Sequence, residues 1–153
     1  MLYGDWIGRW AASTPDKEAL VDQIEDRRFT YGELGEAINR MARFLNDRLG
    51  IIKGDRVAVL SLNRAEFIIL FFAVNRLGAI LVPLNFRLAP GELVYFIRDA
   101  APKAFFFDTE HQPIADRLIE AAPTPQPVCL NDQTDRPWAE LSPEPPGPVD
   151  IIE

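Results

Sequence analysis

From Val57 onward, short apolar segments alternate with segments of helical periodicity, and this order constrains the fold more than any other feature of the sequence. The segments with strand character are Arg56–Ser61, Ala79–Pro83, Lys103–Phe107 and Pro127–Leu130. The helical segments between them are Arg64–Leu77, Pro90–Asp99 and His111–Ala121. Apolar strands that alternate with helices are typical of a parallel sheet covered on both faces. The sequence therefore predicts an α/β fold with a partly parallel sheet flanked by helices.

The chain before this alternation predicts a different local arrangement. A short helix is expected over Leu2–Ala12, and two short strands, Ala19–Val21 and Arg28–Tyr31, flank a charged turn. The periodicity then predicts a longer helix that Gly50 closes.

Two helix starts are predicted from their caps. Thr30 and Glu33 have the spacing of a capping box, in which each side chain accepts a hydrogen bond from the other residue's backbone amide. Asn63 and Glu66 repeat that spacing, so Asn63 is expected to cap the helix Arg64–Leu77. That helix has almost no polar face, and we expect it to be covered on more than one side.

The composition excludes several classes of function. The chain has 153 residues and a formal net charge of -7, without a cluster of Lys or Arg, so it is a poor candidate for binding nucleic acid or anionic lipid. No apolar run approaches the roughly 20 residues that a membrane span needs. The start of the chain lacks the basic and apolar regions of a secretory signal. We therefore expect a soluble, cytoplasmic domain.

Residue types that carry chemistry are sparse. The single cysteine, Cys129, excludes an internal disulfide, and the single histidine, His111, excludes a His-rich metal site. His111 lies in a charged stretch and is interpreted as a solvated surface histidine, and Cys129 as a small core or edge residue. The carboxylates of Asp22, Glu25 and Asp26 are interpreted as solvating a turn.

The amino-acid composition of the sequence changes after residue 122. Eight of the 13 prolines lie between residues 123 and 148, with acidic and amide residues between them. Such a composition is typical of a linker or a strap along the surface. We therefore divide the chain into an α/β subdomain, residues 1–122, and a proline-rich linker or strap, residues 123–153.

Five segments, taken together and in order, carry a family resemblance. They are Pro15–Asp22, Phe29–Leu34, Lys53–Val59, Asn63–Phe67 with Ala73–Leu88, and Glu92–Ile97 with Ala101–Lys103. Over residues 5–108 the chain resembles the N-terminal portion of AMP-forming acyl-CoA synthetases, members of the adenylate-forming superfamily. The resemblance implies a subdomain of a larger enzyme that converts a carboxylic acid, with fatty acids the expected class, first to an acyl-adenylate and then to an acyl-CoA.

The resemblance also implies what this chain lacks. ATP, Mg²⁺ and CoA are implied for the complete enzyme. The family's Ser/Thr/Gly-rich phosphate loop follows a proline-rich stretch like Pro143–Pro148, and its leading strand would begin near residue 149. Neither GxxxxGK[ST] nor GxGxxG is present in this chain. We therefore predict no catalytic residue, no bound cofactor and no activity for the chain alone.

Two positions are candidates for contact with a ligand in the complete enzyme. Arg87, in a Leu-Asn-x-Arg-Leu turn, resembles family arginines that face the phosphates of CoA; the alternative is a surface arginine paired with a carboxylate. Asn63 follows a strand at the end where open α/β sheets bind ligands; the alternative is its role as a helix cap.

Two other functions are kept open. One is a stand-alone α/β module that binds a partner, and the other is an adenylating enzyme whose acceptor is not CoA. The expected partner is the remainder of the parent enzyme, and an exposed apolar face could also support a homodimer.

Overall fold

The computed structural model describes residues 5–122, 126–132 and 137–146. Its helices are α1 (Trp6–Ser13), α2 (Tyr31–Arg43), α3 (Ala65–Arg76), α4 (Pro90–Ala100) and α5 (Gln112–Ala121). Its strands are β1 (Glu18–Asp22), β2 (Arg27–Thr30), β3 (Arg56–Leu60), β4 (Ile80–Pro83), β5 (Ala104–Phe107) and β6 (Pro127–Cys129). A π-helical turn (Phe44–Arg48) follows α2, and a 3₁₀ turn (Thr109–His111) precedes α5. The predicted helix over Leu2–Ala12 falls partly outside the described residues.

The central sheet is parallel, as the alternation of strands and helices predicts. Its strand order is β4-β3-β5-β6, and each neighbouring pair runs in the same direction. A separate antiparallel hairpin is formed by β1 and β2. Cys129 lies half-buried in β6, at the end of this strand order.

Helices cover both faces of the sheet. Because side chains alternate along a strand, Val57 and Val59 point to one face of β3 and Ala58 and Leu60 to the other. The first pair packs in a core with α2, α3 and Phe106; the second packs in a core with α4, α5 and Phe105. The predicted fold class is confirmed.

The start of α2 has the predicted capping box. The amide of Glu33 donates to Thr30 Oγ1 over 3.2 Å, and the amide of Thr30 donates to Glu33 Oε2 over 2.8 Å. The α-helix ends at Arg43, earlier than predicted, and the π-helical turn carries the chain on to Gly50. Gly50 has φ of +63°, a left-handed conformation that favours glycine at such an end.

The predicted cap of α3 is wrong. Arg64, not Asn63, occupies the cap position, and it makes no side-chain capping bond. The amide of Ala65 donates instead to Asp22 Oδ2 over 3.0 Å. Asp22 is buried, against the expectation that it solvates a turn. Its carboxylate accepts the hydrogen bond of the Ala65 amide, which lies at the start of α3 and 43 positions away in sequence.

Residues 137–146, which we call the strap, lie along α2. Trp138 is buried and its ring centroid is 5.6 Å from that of Phe44. Asn39 and Arg43 donate to the carbonyl oxygens of Pro143 and Glu144 over 2.7 and 2.9 Å. Side chains of α2 therefore hold the backbone carbonyls of this segment.

None of the helices in the described ranges is long and apolar enough to cross a membrane.

Candidate functional site at the carboxyl edge of the sheet

The carboxyl ends of β3, β4 and β5 lie at one edge of the parallel sheet, which we call the carboxyl edge. Polar loops follow the strands there: residues 61–64 after β3, 84–89 after β4 and 108–111 after β5. Open α/β sheets bind ligands at this edge. Both predicted site residues, Asn63 and Arg87, lie on these loops.

Asp108 is the buried centre of the carboxyl edge. Its Oδ2 accepts a hydrogen bond from the amide of Leu62 over 2.8 Å, and its Oδ1 accepts one from the amide of His111 over 3.0 Å. Burial acts to raise the pKa of Asp108, but the Leu62 amide and the His111 side chain outweigh it, and the pKa lies below its ordinary value. Asp108 is therefore a carboxylate that joins the loop after β3 to the loop after β5.

His111 is not on the surface, and its interpretation as a solvated histidine is wrong. Only 8% of the residue is exposed, and Nδ1 lies 2.5 Å from Asp108 Oδ1. An ionised carboxylate only accepts hydrogen bonds, so Nδ1 carries the proton and donates it. The other contact of the ring is with Phe86, whose centroid is 5.2 Å away. The charged neighbours of His111 in sequence gave no sign of either contact.

Arg64 is a buried cation beside this pair. Its Nη2 donates to Glu110 Oε1 over 2.8 Å, and its Nε lies 3.5 Å from Asp108 Oδ2. Its Nη1 lies 3.8 Å from Glu25 Oε1, on the turn between β1 and β2. Three carboxylates thus surround one guanidinium, and Arg64 connects the hairpin to the carboxyl edge.

Arg87 lies in the open part of the same edge. Its side chain is exposed, its guanidinium carbon lies 5.7 Å from the centroid of Phe86, and its amide donates to Asn85 Oδ1 over 3.0 Å. Within the described ranges it forms no ion pair with a carboxylate, so the alternative of a paired surface arginine is not met there. An exposed guanidinium of this kind has its donors available for an anionic ligand.

Asn63 is exposed beside a cleft of about 420 Å³ between the β1–β2 hairpin and the start of α3. The apolar part of the lining is Leu20, Val21, Ile24, Phe67 and Ile68. Asn63 is connected to Asp108 through the amide of the preceding Leu62. Asn63 does not cap α3, and it belongs to the lining of a cleft that also contains Asp22, Gln23 and Arg64.

The described residues offer no candidate metal centre. In residues 5–122, 126–132 and 137–146, no group of three His, Cys, Asp or Glu is placed to hold a metal ion. The Asp108–His111 pair is enclosed and satisfied by internal partners, so it orients loops. Arg87 and Asn63 are among the exposed polar residues of the edge, with Asn85, Thr109 and Glu110.

The fold is an open α/β domain with polar loops at the carboxyl edge of its parallel sheet. Residues 7–150 match the family of AMP-binding enzymes, and the chain belongs to that family.

Similar proteins include acyl-CoA ligases. The long-chain-fatty-acid–CoA ligase FadD13 of Mycobacterium tuberculosis is 37% identical over 124 residues, which cover 80% of this chain and 24% of the relative. The crotonobetaine/carnitine–CoA ligase of Salmonella paratyphi A is 34% identical, over 75% of this chain and 23% of its own length. The chain thus spans about a quarter of the length of these curated relatives.

Solved structures agree with this placement. The N-terminal domain of FACL13 from Mycobacterium tuberculosis superposes with a TM-score of 0.83 at 31% identity, covering 92% of this chain and 36% of that one. The o-succinylbenzoate–CoA synthetase of Bacillus subtilis, solved with ATP and magnesium ion, gives a TM-score of 0.71 at 27% identity, covering 82% and 32%. The chain therefore has the fold of the N-terminal part of adenylate-forming acyl-CoA synthetases.

Sequence analysis missed three residues that shape the carboxyl edge: Phe86, Asp108 and His111. One signal was available for Asp108, because a carboxylate that directly follows an apolar parallel strand lies at the ligand-binding end of the sheet. No sequence signal connected His111 to Phe86, since the loops that carry them are brought together only by the sheet.

Proposed function

We propose that this chain is the N-terminal portion of an ATP- and CoA-dependent acid–thiol ligase that converts a carboxylic acid to an acyl-adenylate and then to an acyl-CoA. The observation that carries the proposal is the match of residues 7–150 to AMP-binding enzymes, together with a superposition at TM-score 0.83 on an N-terminal domain of the same kind. Fatty acids are the proposed substrate class, because long-chain-fatty-acid–CoA ligases are among the similar proteins.

Within the ligase, we assign this chain a structural role. Residues 1–122 form a subdomain that packs beside the acyl pocket, and residues 123–153 lead toward the phosphate loop of the parent enzyme. Neither GxxxxGK[ST] nor GxGxxG occurs in the sequence, and this supports our assignment of ATP and Mg²⁺ to other parts of the parent enzyme. No step of the adenylation is attributed to a side chain of this chain.

The CoA-binding role is assigned to Arg87. Support comes from its exposure, from its position on the carboxyl edge and from the lack of an ion pair with any described carboxylate. A fixed guanidinium suits a phosphate because its N–H groups match two oxygens at once. Asn63 is assigned a contact with ligand at the neighbouring cleft.

The test separates the two half-reactions. The intact ligase that carries this segment is incubated with ATP and a panel of fatty and aromatic acids, and pyrophosphate and acyl-CoA are measured separately. We expect pyrophosphate with the acid and ATP, and acyl-CoA only after CoA is added. Pyrophosphate without any acyl-CoA would favour an adenylating enzyme with another acceptor.

The same assays on the 153-residue chain test its proposed inactivity. We expect no turnover from the chain alone, and recovered turnover when it is co-expressed with the rest of the ligase. Turnover by the chain alone would contradict the assignment of the chemistry to other residues.

A stand-alone interaction module is the second candidate, favoured by the exposed apolar side chains Phe71 and Ile80. It predicts that the chain and the rest of the ligase, each folded, neither associate nor restore activity.

A further inference from the structure

A continuous series of contacts runs from the buried centre of the carboxyl edge to its exposed arginine. Asp108 contacts His111, the ring of His111 packs on Phe86, and the guanidinium of Arg87 lies against the same Phe86 ring. None of these side-chain contacts belongs to the hydrogen-bonded strand pairs of the sheet. The series joins the end of β5 to the loop after β4.

The buried end of the series is held rigidly. Asp108 accepts hydrogen bonds from the amides of Leu62 and His111, and it also lies beside the guanidinium of Arg64. These partners come from two loops, so the carboxylate cannot turn without losing at least one of them. Its short contact with Nδ1 therefore fixes the plane of the His111 ring.

The exposed end of the series is held at few points. The amide of Leu84 donates to the carbonyl of Val59 and ties the start of the loop to the sheet. The amides of Arg87 and Leu88 donate to Asn85, over 3.0 Å each, and form a local turn. Phe86 contacts His111 through its ring, while Leu84 and Leu88 pack with the core beside α4 and α5. The ring contact is thus the link between this turn and the loop after β5, alongside the packing of its two leucines.

We propose that Asp108 and His111 are positioning residues for Arg87, acting through the ring of Phe86. The inference rests on the proposed role of Arg87 in binding a CoA phosphate. His111 does not touch the ligand: it holds the Phe86 ring, and the ring holds the guanidinium by a cation–π contact and by backbone geometry. Positioning of this kind matters because a displacement of about 1 Å at a binding group can cost up to a hundredfold in rate.

The charged groups around His111 fit this role. Asp108 bonds its Nδ1, Glu110 precedes it in the same turn and is bonded by Arg64, and Arg87 lies beyond Phe86. Glu25 also lies near Arg64, so three carboxylates and two guanidinium groups surround the partly enclosed ring.

The test uses three single substitutions in the intact ligase. His111→Asn keeps a donor for Asp108 but removes the ring, Phe86→Leu removes the ring that touches both neighbours, and Arg87→Gln removes the charge. We expect each to raise the KM for CoA about tenfold and to leave the adenylation half-reaction within about twofold of the wild type. Tyr95→Leu is the matched control, since it removes an exposed ring on α4 that packs on Phe96 and lies outside the series.

The double variants separate positioning from a general loss of stability. If His111 acts through Arg87, adding His111→Asn to Arg87→Gln produces no further rise in the KM for CoA. If the two effects multiply, or if the single variants leave the KM for CoA unchanged, the proposal is overturned. An equal loss in both half-reactions would also overturn it, because it would show a defect of folding.

Hydrogen exchange tests the positioning role without an activity assay, in case the ligase does not have the proposed activity. If the wild-type ligase forms no acyl-CoA, hydrogen exchange of the Arg87 and Leu88 amides is compared between wild type and His111→Asn. We expect exchange at least about fivefold faster in the variant, because the turn loses its lateral support. Unchanged exchange would overturn the positioning role independently of the reaction.

Discussion

Asp22 is the residue on which the start of α3 depends. Its carboxylate accepts hydrogen bonds from the amides of Ala65, Ile24 and Glu25, and Arg27 Nη2 lies 3.2 Å from it. Burial acts to raise the pKa of Asp22, but the bonds from these amides and from Arg27 outweigh it, and the pKa lies below its ordinary value. One side chain thus closes the hairpin turn and caps a helix from a distant part of the chain.

Replacement of Asp22 tests that role. Asp22→Ala leaves the Ala65 amide at the start of α3 without its acceptor and removes one of the two carboxylates that bind Arg27, so we expect the free energy of unfolding to fall by about 2 kcal/mol. Urea denaturation followed by circular dichroism measures the change. Asp26→Asn is the control, because it changes an exposed carboxylate of the same turn at a left-handed position, φ +48°, that asparagine tolerates. Equal losses in the two variants would contradict the capping role.

The lowered pKa values of Asp22 and Asp108 also fix the direction of the pH dependence. A carboxylate whose folded pKa lies below its unfolded value of about 3.9 stabilises the fold above that value and ceases to do so as the pH falls through the folded pKa. We expect the free energy of unfolding to be nearly constant above about pH 5 and to decline below about pH 4. Urea titrations across this range measure it, and Asp22→Asn should flatten the decline. A stability that rises on acidification would contradict both assignments.

Arg87 carries the prediction that bears most directly on function. Arg87→Glu in the intact ligase should raise the KM for CoA and leave adenylation nearly unchanged, because under the proposed function only the second half-reaction brings a CoA phosphate to Arg87. A reversed charge at a phosphate costs about 1–3 kcal/mol, roughly a five- to hundredfold rise. Arg117→Glu on the exposed side of α5 controls for the change in net charge. If neither half-reaction changed, the result would support the alternative that Arg87 is a surface charge without a role in CoA binding.

At the scale of elements, local sequence patterns predicted the helices, their starts and the type of sheet. Contacts between residues far apart in sequence were not predicted. The capping box of α2, the proline at the start of α4 and the alternation that produces a parallel sheet all depend on neighbours in sequence, and all are present. The cap of α3 failed because the local candidate, Asn63, was replaced by a carboxylate from the hairpin. The interpretation of His111 as a surface residue was wrong for the same reason. Its partners Asp108 and Phe86 lie on different loops, which the sheet brings together.

The strap shows how a proline-rich segment can be ordered by a helix. Arg40 donates to the carbonyl of Leu141 over 3.2 Å, next to the bonds from Asn39 and Arg43. Three side chains of α2 thus donate hydrogen bonds to the backbone carbonyls of the strap. Trp138 fixes the near end by packing in the core. The strap therefore depends on α2 side chains together with this one aromatic anchor.

Removal of two donors should loosen the strap without unfolding α2. We expect Asn39→Ala combined with Arg43→Ala to lower the protection of Trp138 and to cost about 1–3 kcal/mol in total. Acrylamide quenching of Trp138 fluorescence, in a Trp6→Phe and Trp10→Phe background, measures its exposure. Arg48→Ala is the control, since this exposed arginine lies in the π-helical turn that follows α2. Quenching unchanged from wild type would mean that Trp138 alone holds the strap.

At the scale of the whole molecule, two large apolar side chains on the consecutive elements α3 and β4 are exposed. Phe71 is 42% exposed on α3 and Ile80 is 50% exposed on β4. Phe72, whose ring packs edge-on against Phe71, is half-buried beside them. In the described residues β4 pairs on one side only, with β3, so its other side presents free backbone groups. An exposed apolar patch next to an open strand edge is a typical site of association.

We therefore expect the isolated chain to form a two-fold dimer that buries this patch or pairs the β4 edges. In the intact ligase the same surface would be covered by the remainder of the enzyme, which the chain, at about a quarter of its relatives' length, does not include. Light scattering across a dilution series measures the mass, and Phe71→Lys together with Ile80→Lys should shift it to that of a monomer. Arg117→Ala, on the exposed side of α5, is the matched surface control. A compact monomer at tens of micromolar that binds no hydrophobic dye would show that the domain closes its own core, and that the patch serves no association.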